Sequence, residues 1–258
     1  MRSLIIVGAG SGLGKVIAQK LYERNLNVFI VGRTNPNNSR KNNFYEVDII
    51  NVDWKKLLKK ITDENKIQIT DVIFNAGTGA FGITNLIPIK DAKFVFDLNF
   101  WCCSEAAIVF AEYWKQAKIE GCFLAVSSIS ALRATPLESY YAASKAALSR
   151  FLECLALEYK PFGIKLNSVY PGLLATKFRT NGKWFGVKPD FKEIGENVAN
   201  TAEKIISILD GKRKVKVLGW KERTITLIDR ISPKLYNNLV LDKRIMRYVF
   251  KNSESEND

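Results

Sequence analysis

Leu4-Ile5-Ile6-Val7-Gly8-Ala9-Gly10-Ser11-Gly12-Leu13-Gly14 is the stretch on which the fold turns. Four apolar residues make a short β run, the glycines make a tight turn, and Val16, Ile17, Ala18 and Leu21 then recur at helical spacing. Strand, glycine turn and helix together hold a pyrophosphate on a helix N-terminus: small residues let the backbone approach, and unpaired N–H groups point at the anion. A tight turn without a ligand is the plain alternative. A nucleotide-hydrolysing P-loop is excluded, because Gly14-Lys15 lacks a glycine five residues before Gly14 and is followed by Val16 in place of Ser or Thr.

Working outward, Asn27 to Val31 reads as a second strand ending at Gly32-Arg33-Thr34, Phe44 to Ile49 as a third, and Val72-Ile73-Phe74 as a fourth that stops at Asn75-Ala76-Gly77. Further strands are expected at Cys122 to Val126, Ile164 to Tyr170 and Val215 to Leu218. Helical patterns lie between them: Trp54 to Ile61, one long helix from Phe94 to Lys118, Tyr141 to about Tyr159, and about Glu196 to Leu209. Regular alternation predicts an α/β fold, a doubly wound parallel sheet of the Rossmann type, as a single domain over residues 1–218. In such a fold an acidic residue about 20 positions past the glycines meets the ribose of NAD, whereas an arginine accommodates the 2′-phosphate of NADP. Gly32-Arg33 stands there without a carboxylate, so NADP(H) is the expected cofactor.

A second stretch carries chemistry: Ser127-Ser128-Ile129-Ser130, then Pro136, then Tyr141-Ala142-Ala143-Ser144-Lys145. Tyrosine and lysine four apart share a helical face, so the ammonium is expected over the phenol, drawing its pKa toward the working range of a general acid. Ser128 closes an apolar strand, which puts its hydroxyl at the carboxyl edge of the sheet. Asn99, inside an apolar helix, needs hydrogen-bond partners or costs energy.

Composition sets the frame. The 258 residues are 47% hydrophobic and 25% charged, as in an ordinary soluble globular protein. Four scattered cysteines and no histidine give neither a disulfide framework nor a zinc site, so no metal is expected and a reducing cytoplasm is the default. The apolar run at the start is too short for a signal sequence or a membrane span. Formal charge is +13, and residues 211–251 hold twelve Lys/Arg against three Asp/Glu. That segment attracts anions of several kinds. No nucleic-acid-binding module accompanies it, and none is expected to act.

With these pieces placed, the sequence resembles the short-chain dehydrogenase/reductase family over roughly residues 3–218. Its matches are Gly8-x-x-x-Gly12-x-Gly14, Asp48, Asn75-Ala76-Gly77, Asn99, Ser128, Tyr141-x-x-x-Lys145 and Pro171-Gly172-x-x-x-Thr176. Val7 and Phe74 depart from the family's threonine and asparagine at structural positions. The resemblance implies a set of roles. Tyr141 would exchange the proton with a carbonyl oxygen, Lys145 would lower its pKa and bind the nicotinamide ribose, and Ser128 would hold the carbonyl. Asn99 would hold a water leading to solvent. Gly8, Ser11, Gly12, Leu13 and Gly14 would cradle the pyrophosphate, Arg33 the 2′-phosphate, Asp48 and Ile49 the adenine. Asn75, Ala76 and Gly77 would line the cleft, with Pro171, Gly172, Leu174 and Thr176 at the nicotinamide end.

The expected function is therefore NADP(H)-dependent hydride transfer between nicotinamide and a carbonyl or secondary alcohol on a hydrophobic small molecule. The alternative is a catalytically silent nucleotide-binding sensor or scaffold. Residues 173–195, apolar and basic with Phe178, Arg179, Lys183, Trp184, Phe185 and Lys188, are expected to form a substrate lid. Apolar residues on more than one side of the Phe94 and Tyr141 helices, which pair in the family, imply a homodimer or homotetramer. Residues 219–258 are expected to be a basic helical extension with a disordered acidic tail. Its two amphipathic helices divide at Pro233 and are expected on the body beside the lid, with contact to an anionic membrane as the alternative.

Overall fold

The structure is a computed structural model that describes residues 2–36, 43–187, 195–211 and 216–240. The expected acidic tail, Lys188 and Val215 lie outside the described residues. Six parallel strands form the sheet: β1 (Ser3–Val7), β2 (Asn27–Gly32), β3 (Phe44–Glu46), β4 (Asp71–Phe74), β6 (Cys122–Val126) and β7 (Lys165–Val169), in the order β3-β2-β1-β4-β6-β7. Successive side chains on a strand point to opposite faces, and both faces here are apolar. Leu4 and Ile6 of β1 enter a core with α1 (Gly12–Glu23) and α6 (Val198–Leu209). Ile5 and Val7 enter the opposite core with α2 (Trp54–Asn65), α4 (Cys102–Ala117) and α5 (Ser139–Tyr159).

Strand order reverses between β1 and β4, which opens a crevice at their carboxyl ends. The glycine turn after β1 and Asn75-Ala76-Gly77 after β4 flank it. Arg2 clamps the opposite end, donating from Nε to Asp71 and from Nη1 to Asp210, each at 2.6 Å.

Three elements differ from the expectation. The long helix is α3 (Ile89–Phe96) running into α4 through a π turn, Asp97–Trp101, in which Cys102 N–H bonds back to the Asp97 carbonyl. By length and composition Ile89–Ala117 could cross a membrane, but half of its apolar window is buried in this fold. A second, two-stranded parallel sheet pairs β5 (Ala80–Gly82) with β8 (Lys183–Phe185). The strand expected at Val215–Leu218 is reduced, among the described residues, to a bridge from Val217 to Tyr170. As expected, the extension divides at Pro233, into α7 (Trp220–Ile231) and α8 (Pro233–Val240).

Candidate active site

The glycine turn is braced from β4. Gly8 sits at φ +82°, and a Cβ there would fall 2.6 Å from Ala76 N, so only glycine fits. Asn75 Nδ2 donates to the Gly8 carbonyl at 2.8 Å, and a Cβ on Gly14 would lie 2.2 Å from that same oxygen. Ser11 caps α1 without a side-chain hydrogen bond, and the first turn holds no acidic residue. The first N–H groups of α1, from Gly12 and Leu13 onward, are thus left for an outside anion. Across the crevice stands Thr176, whose methyl would be 3.7 Å from a Cβ on Gly12. Arg33 is exposed just past β2, while Ile49 is buried. Asp48 accepts from Ile50 N and Asn51 Nδ2, each at 3.3 Å.

Tyr141, Lys145 and Ser128 meet beside this crevice, all three buried. Ser128 follows β6, and its Oγ accepts from Ser130 N at 3.2 Å. The Lys145 ammonium donates to the Val126 carbonyl at 2.9 Å. Gly77 lies against it, since a Cβ there would be 3.3 Å from Nζ. Asn99 is fully engaged: Oδ1 accepts from Thr78 N at 2.8 Å, and Nδ2 donates to Thr78 O at 2.9 Å and to Ser144 Oγ at 3.0 Å. The π turn aims this amide inward, where it ties the Gly77 loop to the helix that carries Tyr141 and Lys145.

The electrostatics correct one expectation. Burial pushes the Tyr141 phenol up to about 12; hydrogen bonding with Ser128 and the charge of Arg179 pull it down, and Glu138 pushes it up. Burial also holds Lys145 down at about 8. Desolvation is the largest cause at both groups, so the phenol is a firmly held proton rather than one drawn toward neutrality.

An aromatic wall covers the phenol. Phe81 of β5 lies 5.5 Å from the Tyr141 ring and 5.0 Å from Trp184 of β8, and Phe178 lies 5.7 Å from Tyr141. The expected lid is therefore folded over the catalytic pair, and three ties hold it: the β5–β8 pairing, Lys183 to Asp91 at 2.6 Å, and an ion pair from Arg179 to Glu138. Glu138 is 1% exposed and also accepts from Ser130 Oγ at 2.6 Å. Pro171 O accepts from Ile129 N at 3.0 Å, Gly172 packs against Glu222 of α7, and Leu174 bridges to Glu196.

A model of the family described as short chain dehydrogenase matches residues 2–183. This chain belongs to that family. The short-chain dehydrogenase fold is shared with a solved structure of a short chain dehydrogenase from Burkholderia cenocepacia in complex with NADP, at a TM-score of 0.77 and 23% identity over 93% of this chain and 98% of that one. The chain is 31% identical over 179 residues to a 3-ketodihydrosphingosine reductase of Bacteroides thetaiotaomicron, covering 69% of this chain and 66% of that enzyme, just under two thirds of its length. It is 21% identical to an NADPH-dependent 3-dehydrocapnine reductase of Ornithobacterium rhinotracheale, covering 96% and 88%.

Sequence reasoning about this short-chain dehydrogenase missed Phe81 and Glu138. Gly79 and Gly182 were the signal for Phe81, because a Cβ on either would strike its ring. Glu138 carries no such mark: its partners Ser130 and Arg179 are 8 and 41 residues away.

Proposed function

We propose that the protein is an NADPH-dependent reductase that converts a ketone on a hydrophobic small molecule to a secondary alcohol. One observation carries the reading: a buried tyrosine that keeps its proton stands beside Ser128, under a wall of Phe81, Phe178 and Trp184. A phenol held at about 12 is protonated throughout the neutral range, which suits donation to a developing alkoxide. Ser128 offers the hydroxyl that orients the carbonyl oxygen. Lys145 supplies a positive charge behind the phenol while it remains protonated, below about pH 8.

NADP(H) is the cofactor. The uncapped first turn of α1 takes the pyrophosphate, and Arg33, with no acidic residue in its place, takes the 2′-phosphate. When bound it supplies the hydride, and the chain contributes orientation, water exclusion and the proton. NADP in the Burkholderia structure and the NADPH dependence of the Ornithobacterium enzyme support this choice. The names of the Bacteroides and Ornithobacterium reductases, for a 3-keto and a 3-dehydro compound, support the ketone. A homodimer or homotetramer belongs to the same reading, since Trp101 and Ile108 leave the π turn and α4 with an exposed apolar face. The free cysteines Cys102, Cys103, Cys122 and Cys154 suit a reducing cytoplasm.

The test is NADPH oxidation against ketones of graded chain length, with 3-ketodihydrosphingosine among them. The expected result is oxidation matched by formation of the alcohol and strongest for apolar ketones. Intact NADPH binding with no turnover on any ketone or aldehyde would favour the silent sensor instead.

A further inference from the structure

Among the described residues, the extension leaves a face uncovered. On α7, Trp220, Thr224, Leu227 and Ile231 are spaced i, i+4, i+7 and i+11, which is one side of a helix with 3.6 residues per turn. All four are exposed, Trp220 at 72%, Leu227 at 57% and Ile231 at 75%. Leu235, 48% exposed, continues the apolar surface onto α8. Left in water, these apolar side chains contribute nothing to the fold.

Charge is sorted about that stripe. By helical rotation Lys221 lies on one flank and Arg223 and Arg230 on the other, with Lys234 exposed at the start of α8. The two acidic residues of α7, Glu222 and Asp229, fall on the opposite side, and Glu222 packs inward against Gly172. The hairpin is anchored. Tyr236 is 1% exposed and donates to the Ala134 carbonyl at 2.8 Å, while Arg223 Nε donates to Val217 O at 3.0 Å. A fixed helix thus presents an apolar ridge with a basic rim, beside the loop that borders the proposed substrate site.

We propose that α7 and the start of α8 dock on an anionic lipid surface, the ridge entering the acyl boundary and the rim meeting headgroup phosphates or carboxylates. Apolar area and basic charge act together at such a surface, and tryptophan favours the interface. A second copy of the chain fits less well. Two-fold contact through this face would set the basic rim against itself, and like charges oppose association. Docking would bring the mouth of the site to a reservoir of apolar molecules, but does not depend on turnover.

The experiment is flotation of the full-length protein with phosphatidylcholine vesicles, with and without phosphatidylglycerol. Binding is expected to the anionic vesicles at low salt and to be lost at roughly 1 M salt, where the Debye length is about 3 Å. Leu227→Asp with Ile231→Asp, and separately Lys221→Glu with Arg230→Glu, should each lower binding at least about tenfold. All four positions are solvent-facing, so NADPH affinity and the thermal midpoint should stay within error of the parent. Failure of the parent protein to float, or flotation of both variants equal to that of the parent, overturns the proposal. So does binding that appears only after deletion of residues 241–258, which would make that segment the occupant. An oligomer that the Leu227/Ile231 variant dissociates, without flotation of the parent, would assign the face to a second copy.

Discussion

Ser130 Oγ donates to Glu138 at 2.6 Å, and through that bond a carboxylate with 1% exposure reaches the loop of the catalytic serine. Ser130 in turn receives the Ser128 hydroxyl at 3.3 Å. Because the same carboxylate holds Arg179, the lid and the substrate-orienting serine share one anchor. Glu138→Gln keeps an acceptor for Ser130 but removes the charge that faces Arg179. The expected outcome is a rise in KM of about tenfold with kcat changed far less, and a stability loss of about 1–3 kcal/mol for removing the charge from the Glu138 hydrogen bond to Arg179, which is itself partly exposed. Steady-state kinetics and urea unfolding check both numbers, and an unchanged KM would remove Glu138 from the lid.

Tyr141→Phe removes the proton donor and little else, since the ring keeps its contacts with Phe81 and Phe178. Reduction should fall at least about 100-fold, the ordinary worth of a general acid, with NADPH binding nearly unchanged. Retention of more than a few per cent of kcat would sink the assignment.

Cofactor preference should rest on Arg33. NADPH should bind more tightly than NADH, and Arg33→Ala should erode the difference by about 1–3 kcal/mol, the worth of one charge-assisted contact. Fluorescence titration of both cofactors against both proteins decides it. Equal affinity in the parent protein means that Arg33 does not face the 2′-phosphate.

Lys145 is costly to the fold. Burial lowers it from 10.5 to about 8, a difference of about 3 kcal/mol between its two protonation states. Below about pH 8 both folded and unfolded chains carry the charge, and the folded one bears the full penalty. As pH rises from about 8 to about 10.5 the folded chain releases its proton first, so this group makes stability increase with pH across that window. Lys145→Met should therefore be inactive yet more stable at pH 7 by about 1–2 kcal/mol, after the loss of the bond to Val126 O, and should lack the rise. Denaturant midpoints at neutral and alkaline pH test the sign.

Assembly should depend on the outer face of α4. Trp101 is 55% exposed and Ile108 43%, one and three turns into the helix formed by the π turn and α4. Trp101→Glu with Ile108→Glu should convert a dimer or tetramer to monomer by light scattering, with NADPH binding intact. A parent protein that is monomeric at micromolar concentration would count against an interface there.

Legibility followed the range of the interactions. The Leu4–Gly14 turn, the strand–helix alternation and the Tyr141–Lys145 spacing are local patterns, and the structure places them where the sequence put them. The second sheet was not legible, because β5 and β8 are three residues each and pair across about a hundred positions. Glu138 was hidden for the same reason. The phenol's pKa was misjudged on a different ground: adjacency on a helix says who the neighbours are, but not how much water both have lost, and here desolvation is the largest cause at each.

The π turn at Asp97–Trp101 bears on which sequence changes this chain can survive. It holds one residue more than an α-helical turn would, and that surplus is taken up within the wider turn, so α3 and α4 keep one continuous phase. Deleting one residue between 97 and 101 would let the backbone relax to a regular α-helix, the bulge closing while α4 keeps its present phase against α3. Phe110, Ala111 and Trp114 would stay in the core, but Asn99 would lose its aim at Thr78 and Ser144. A one-residue deletion here should therefore cost the site more than the fold, because the helix core survives while the tie from the Gly77 loop to the Tyr141 helix is withdrawn.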